Sequence, residues 1–151
     1  MIYLIVSTIL FGINALLAGS SEAHYYDYAY ISDRGHKNLH PNYFVRALIV
    51  GLFATAGAFN VIDTGWIYED LWLCFIYLLG LALIYPFLHD GMFYKTRNKL
   101  NSLIYQKGWW SNKIEGEDKK KAKMEFKVTM RTAMFIIGIL FIIGIILEIN
   151  A

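Results

Sequence analysis

The chain has 151 residues, 57% of them hydrophobic and only 17% charged, with a formal net charge of +2. Soluble domains carry about one quarter charged residues, so this composition argues against a water-soluble globular domain, and so small a net charge gives little support for nucleic-acid binding. A single cysteine, Cys74, excludes an internal disulfide and any Cys-x-x-Cys metal spacing.

Four apolar runs alternate with polar segments, at residues 2–18, 44–61, 71–88 and 132–149. Each is close to the roughly 17–25 residues that a helix needs to cross a bilayer core. The expected fold is all-α: one transmembrane domain over 1–151, an integral membrane four-helix bundle whose helices extend on the cytoplasmic side.

The first run lacks the basic flank of a secretory signal, so it reads as a first span rather than a cleaved segment. Its helix is expected to continue past the membrane to about residue 33, where Gly35 then breaks it. Ser7, Asn14 and Ser21 recur every seven residues and define a polar seam on one helix face, with Tyr25 and Tyr28 beside it. In lipid such groups belong in the bundle interior, where they find partners.

Pro41 suits the first turn of the second helix, where its missing N–H would be unpaired anyway. Within that helix Ala47, Gly51, Ala54 and Ala58 form a small-residue stripe. Such stripes let two helix backbones approach closely. The partner is either another span of the chain or a second copy.

In the third run Pro86 predicts a kink just before His89. The helix is expected to run on to about residue 105, with Gly108, Trp109 and Trp110 marking a turn at the membrane interface. Glu115, Glu117 and Asp118, followed by Lys119, Lys120, Lys121 and Lys123, suit a helix start that complements its own dipole. That helix leads towards the fourth run.

Charge sets the expected topology. Residues 89–131 contain eleven Lys or Arg, and Arg34, Lys37 and Arg46 flank the second run, whereas residues 60–70 carry only Asp63, Glu69 and Asp70. The positive-inside rule then places both basic segments in the cytoplasm and both termini outside it, in a bacterial inner membrane. Trp66, Tyr68 and Trp72 fit an outer aromatic belt, and Trp109 and Trp110 an inner one. The first and third spans run in the same direction. All four histidines thereby reach similar depth on the cytoplasmic side.

The most suggestive polar set is Glu22, His24, His36, His40, His89 and Asp90. Imidazole with carboxylate suits zinc, iron or manganese. His89 and Asp90 are adjacent and point about 100° apart on a helix, so one would ligate while the other orients a neighbouring ligand. The structural reading of the same residues is capping and ion pairing. Asp90 would then pair with Arg97 or Tyr94, and Glu22 with Arg34 or Arg46. Ser20 and Ser21 beside Glu22 and His24 read as a helix-end hydrogen-bond cluster rather than a hydrolase site. There is no Gly-x-Ser-x-Gly, P-loop or Gly-x-Gly-x-x-Gly motif.

Segment 21–40, SEAHYYDYAYISDRGHKNLH, and segment 89–101, HDGMFYKTRNKLN, followed by GWWSN at 108–112, carry a resemblance. They resemble small, uncharacterised multi-span membrane proteins of bacteriophage and Bacteroidetes-type genomes. The resemblance implies a bacterial or phage origin and brings no activity with it.

Two functional classes follow. The first is a structural or assembly protein that self-associates or joins a larger membrane complex, including a pore, and offers its basic loop to anionic lipid headgroups or a cytosolic partner. The second is a membrane-embedded metal-dependent enzyme that acts on a lipid-like substrate at the cytoplasmic face. A proton or ion path ranks last, because no run carries an ionisable residue at its centre.

Overall fold

The structure, a computed structural model, describes residues 2–31, 40–100 and 128–150, with side chains described for 2–25, 45–100 and 128–150. These residues form four helices: α1 (Ile2–Ile31), α2 (His40–Phe59), α3 (Ile67–Leu100) and α4 (Val128–Glu148). Pro41 falls in the first turn of α2, and α3 runs through Pro86 to Leu100. Proline has no N–H, so the Ala82 carbonyl one turn earlier lacks its intrahelical donor. Gly35, the expected end of α3 near residue 105, the Trp109–Trp110 turn and the acidic-to-basic helix start at 115–123 lie outside the described residues.

Helices α1, α3 and α4 are each long and apolar enough to cross a membrane, while the described apolar part of α2, Val45–Phe59, is shorter. Large apolar side chains point outward on every helix, among them Leu10, Phe53, Phe75 and Leu147. A water-exposed surface of that kind would be an aggregation hazard; against lipid tails it is the expected exterior. Trp66, Tyr68 and Trp72 are exposed around the start of α3, where an aromatic belt would sit at one interface. The chain is a membrane-spanning helical bundle.

Helix α3 is the hub, and α1, α2 and α4 all pack on it. Ser7 meets Tyr77 and Ser20 meets Thr96, so α1 runs parallel to α3. Gly138 lies at Gly80 and Arg131 at Asp90, so α4 runs antiparallel to α3. Gly51 lies at Phe11 and Gly57 at Tyr3, so α2 runs antiparallel to α1. The result is an up-down-up-down bundle, with the first and third spans in the same direction as the loop charges predict.

Small residues set the closest crossings. A Cβ on Gly138 would lie 2.6 Å from the Gly80 carbonyl oxygen, and one on Gly80 would lie 3.1 Å from the Gly138 carbonyl oxygen. The α3–α4 crossing therefore depends on two facing glycines, a pairing the sequence reading did not single out. The stripe Ala47, Gly51, Ala54 and Ala58 is buried within this one chain. A Cβ on Gly51 would touch Leu78 at 3.4 Å and Phe11 at 3.5 Å. Of the two partners open to the stripe, the chain's own α1 and α3 occupy it.

The polar seam turns as it rises. Ser7 is buried and shares a 2.6 Å hydrogen bond with the Tyr77 hydroxyl. Asn14 is half-buried, and Ser21 and Tyr25 are exposed. An α-helix drifts by about 20° per heptad against a strict seven-residue repeat, and two heptads carry Ser21 out of the interface. Its neighbour Ser20 meets α3 there instead, with Thr96 3.3 Å away.

Tyr77→Phe tests how much the Ser7–Tyr77 bond holds. Its hydroxyl also lies 3.1 Å from the Thr8 hydroxyl, and both Ser7 and Thr8 donate to the Leu4 carbonyl. Those two hydroxyls keep a partner in the variant. The expected loss is about 0.6 kcal/mol, the average for an interhelical hydrogen bond in a membrane protein, read as a small fall in melting temperature in detergent. A loss above about 2 kcal/mol would show that the tyrosine does more than close this contact.

Candidate functional site

Near the last third of α3, three helices bring ionisable side chains into the bundle interior. Glu22 of α1 is 1% exposed, His89 of α3 6% and Arg131 of α4 1%. Water cannot solvate charges at such burial, so each must be met by an opposite charge or a hydrogen bond.

The geometry begins with backbone approach. At Gly19 an added Cβ would fall on the His89 carbonyl oxygen, and it would also crowd the Phe93 amide nitrogen at 3.1 Å. Only glycine lets α1 lie this close to α3. One turn further on, Glu22 then faces His89, with Oε2 3.0 Å from Nε2. On the other side of the ring, Nδ1 lies 3.0 Å from Oδ1 of Asp90. The ring also stacks on Tyr85 of its own helix, centroids 4.9 Å apart and planes inclined by 19°. A neutral imidazole can donate from one nitrogen only, whereas the imidazolium donates from both. A carboxylate oxygen on each side of the ring therefore favours the charged form.

Asp90 continues the chain of charges to the third helix. Its Oδ2 lies 3.7 Å from Nη1 of Arg131. Glu22, His89, Asp90 and Arg131 thus alternate negative and positive across α1, α3 and α4. A second basic group closes the cluster from below. Arg97 is 2% exposed, and its guanidinium lies 4.9 Å from the centre of the Tyr94 ring and 5.4 Å from that of Phe93. Arg131 lies 5.4 Å from the same Tyr94 ring. Tyr94, itself 2% exposed, takes cation–π contacts from both arginines.

The pairing differs from the sequence expectation. Asp90 meets Arg131 rather than Arg97, because Arg97 is seven residues on, about 10 Å along the same helix. Antiparallel α4 instead places Arg131 at the level of Asp90. Glu22 meets His89; of its two expected partners, Arg46 is exposed on α2 and Arg34 lies outside the described residues. Arg131 had counted only as loop charge; its place at the edge of the fourth apolar run was the available signal, since a cation there must find a partner in the bundle.

Of the six residues nominated as metal ligands, the structure brings together Glu22, His89 and Asp90. His24 is exposed on α1 and stands outside this cluster. His36 and the side chain of His40 lie outside the described residues. The two carboxylates sit on opposite nitrogens of His89, so binding one ion with all three groups would require the ring to release a partner. Among the described residues, no group of three or more His, Cys, Asp or Glu side chains is arranged to hold a metal ion.

A cavity of about 280 Å³ lies beside the cluster, bounded by α1, α2 and α3. Its walls are mostly apolar; Tyr85 lines them part-way along, and Asp90 contributes the one carboxylate at an end. Set against known protein-family models, curated proteins and solved structures, the chain matches none.

Proposed function

We propose that this protein is a structural or assembly component of a membrane, a scaffold that holds its lysine-rich segment at one face of the bilayer for a partner chain or a second copy. The observation that carries this reading is the Glu22–His89–Asp90–Arg131 cluster. It ties α1, α3 and α4 together close to where the chain leaves α3 at Leu100 and re-enters α4 at Val128. Residues 101–127 between those points carry seven lysines. Both attachment points of a basic segment are thereby fixed on one rigid end of the bundle. In this reading that end is cytoplasmic, in a bacterial inner membrane, and anionic headgroups add to the contact.

Isolation from its native membrane in a mild detergent tests the proposal. The chain is expected to run with a mass well above one copy plus micelle. Reversing Lys119, Lys120, Lys121 and Lys123 to Glu is expected to lower that mass without changing the melting temperature. A single copy under mild extraction would overturn the scaffold role.

The metal-dependent enzyme reading draws on one observation, the meeting of Glu22, His89 and Asp90 near an apolar cavity. In that case one carboxylate would leave His89 and turn to the ion. Purified protein grown with zinc, iron and manganese would then contain about one equivalent of metal per chain. Less than about a tenth of an equivalent would remove this reading.

A further inference from the structure

The apolar cavity beside Asp90 has a shape that names its occupant. Its wall on α3 runs from Leu78 to Asp90, a rise of about 18 Å at about 1.5 Å per residue. Its volume of about 280 Å³ is at the small end of ligand pockets, which run to about 300–1,000 Å³, so it has room for one acyl chain rather than two. Its length is close to one leaflet's half, about 15 Å, of a bilayer core about 30 Å thick. Pro86 and Ala82 open it on the α3 side, and Gly51 on the α2 side, where larger side chains would fill it. Leu48 and Ala82, both exposed, form its rim, so the slot opens on the outer face of the bundle.

The polar end is equally defined. Asp90 Oδ1 is held by the His89 ring, but Oδ2 makes no hydrogen bond, its nearest cation being Arg131 at 3.7 Å. An ionised carboxylate only accepts hydrogen bonds. The group that meets Oδ2 must therefore donate one, and an anionic head would be repelled. A hydroxyl supplies such a donor without adding a charge to the cluster.

We infer that the slot binds one single-chain lipid with a hydroxyl head, its acyl chain lying along α3 from Asp90 towards Leu78 and its hydroxyl donating to Asp90 Oδ2. The lipid enters from the bilayer past Leu48 and Ala82. The site stands whether or not the protein is a scaffold, because it uses only contacts within one chain.

Native mass spectrometry of the full-length protein in detergent, titrated with monooleoylglycerol and separately with oleate, tests this. One monooleoylglycerol per chain is expected to bind saturably, about tenfold or more tightly than oleate. Asp90→Asn can both donate and accept, and is expected to erase the preference between the two probes. Ala82→Phe fills the slot and is expected to weaken monooleoylglycerol binding by at least about tenfold while the protein melts as before. Should that variant not fold, Leu48→Trp blocks the same slot from α2 and carries the same expectation. Non-saturable uptake, undiminished binding in the folded blocking variant, or a preference that survives Asp90→Asn would each overturn the inference. So would a blocking variant that lowered the oligomer mass and left lipid binding unchanged, since the slot would then belong to a second copy.

Discussion

Glu22→Leu is expected to destabilise the bundle by about 3–5 kcal/mol, the usual consequence of removing one partner from a buried ion pair. Glu22 is 1% exposed and lies 3.0 Å from Nε2 of a histidine that is itself buried. Without it, the ring keeps Asp90 on Nδ1 but loses the carboxylate on Nε2. His89→Leu leaves the opposite fault, a buried carboxylate deprived of the imidazole at 3.0 Å. The double variant removes both charges, and a well-packed apolar pair in place of a buried ion pair is commonly neutral or stabilising. The double variant is therefore expected to be more stable than either single one, with a coupling of about 0.5–3 kcal/mol. Thermal melting in detergent, followed by circular dichroism, reads all four corners of the cycle. Additive losses would mean that Glu22 and His89 do not act as a pair, and the clamp between α1 and α3 would have to lie elsewhere.

Gly19→Val carries the second large effect. Here the obstacle is backbone, because the new Cβ would land on the His89 carbonyl oxygen and press the Phe93 amide. A flexible side chain can swing away, but a carbonyl within a helix cannot move without displacing its helix. Overpacking in a core typically costs about 1–3 kcal/mol, and a clash with main chain is expected to exceed that range. Separation of α1 from α3 also pulls Glu22 off His89, so packing and ion pairing fail together. Gly144→Val is the control: it lies in the apolar stretch of α4, where a Cβ meets nothing within 4 Å. It is expected to melt within about 1 kcal/mol of the parent. Equal behaviour of the two variants would refute the close approach at Gly19.

Much of the architecture is legible in the chain itself. Bilayer thickness fixes how long an apolar run must be, and a helix is the one open-chain form that satisfies its own backbone in lipid. Runs at 2–18, 71–88 and 132–149 could therefore be read as helices without knowing what they touch. Pro41 announced a helix start for the same local reason. Glu22, His89 and Asp90 were also nominated from residue type and expected depth.

Partnership was decided by tertiary structure. A sequence period gives the face on which a residue lies, but not which neighbour that face meets. The stripe at Ala47, Gly51, Ala54 and Ala58 was legible as a close-packing surface, yet only the bundle assigns it to α1 and α3. Gly80 and Gly138 are ordinary glycines until two antiparallel helices set them opposite one another. Arg131 looked like loop charge because its partner, Asp90, lies 41 positions earlier. The chain by itself determined that helices would span a membrane, since that depends on transfer of each segment into lipid. Which charges neutralise one another, and where a slot remains between helices, depended on register and approach across the bundle, which arise only when the helices pack.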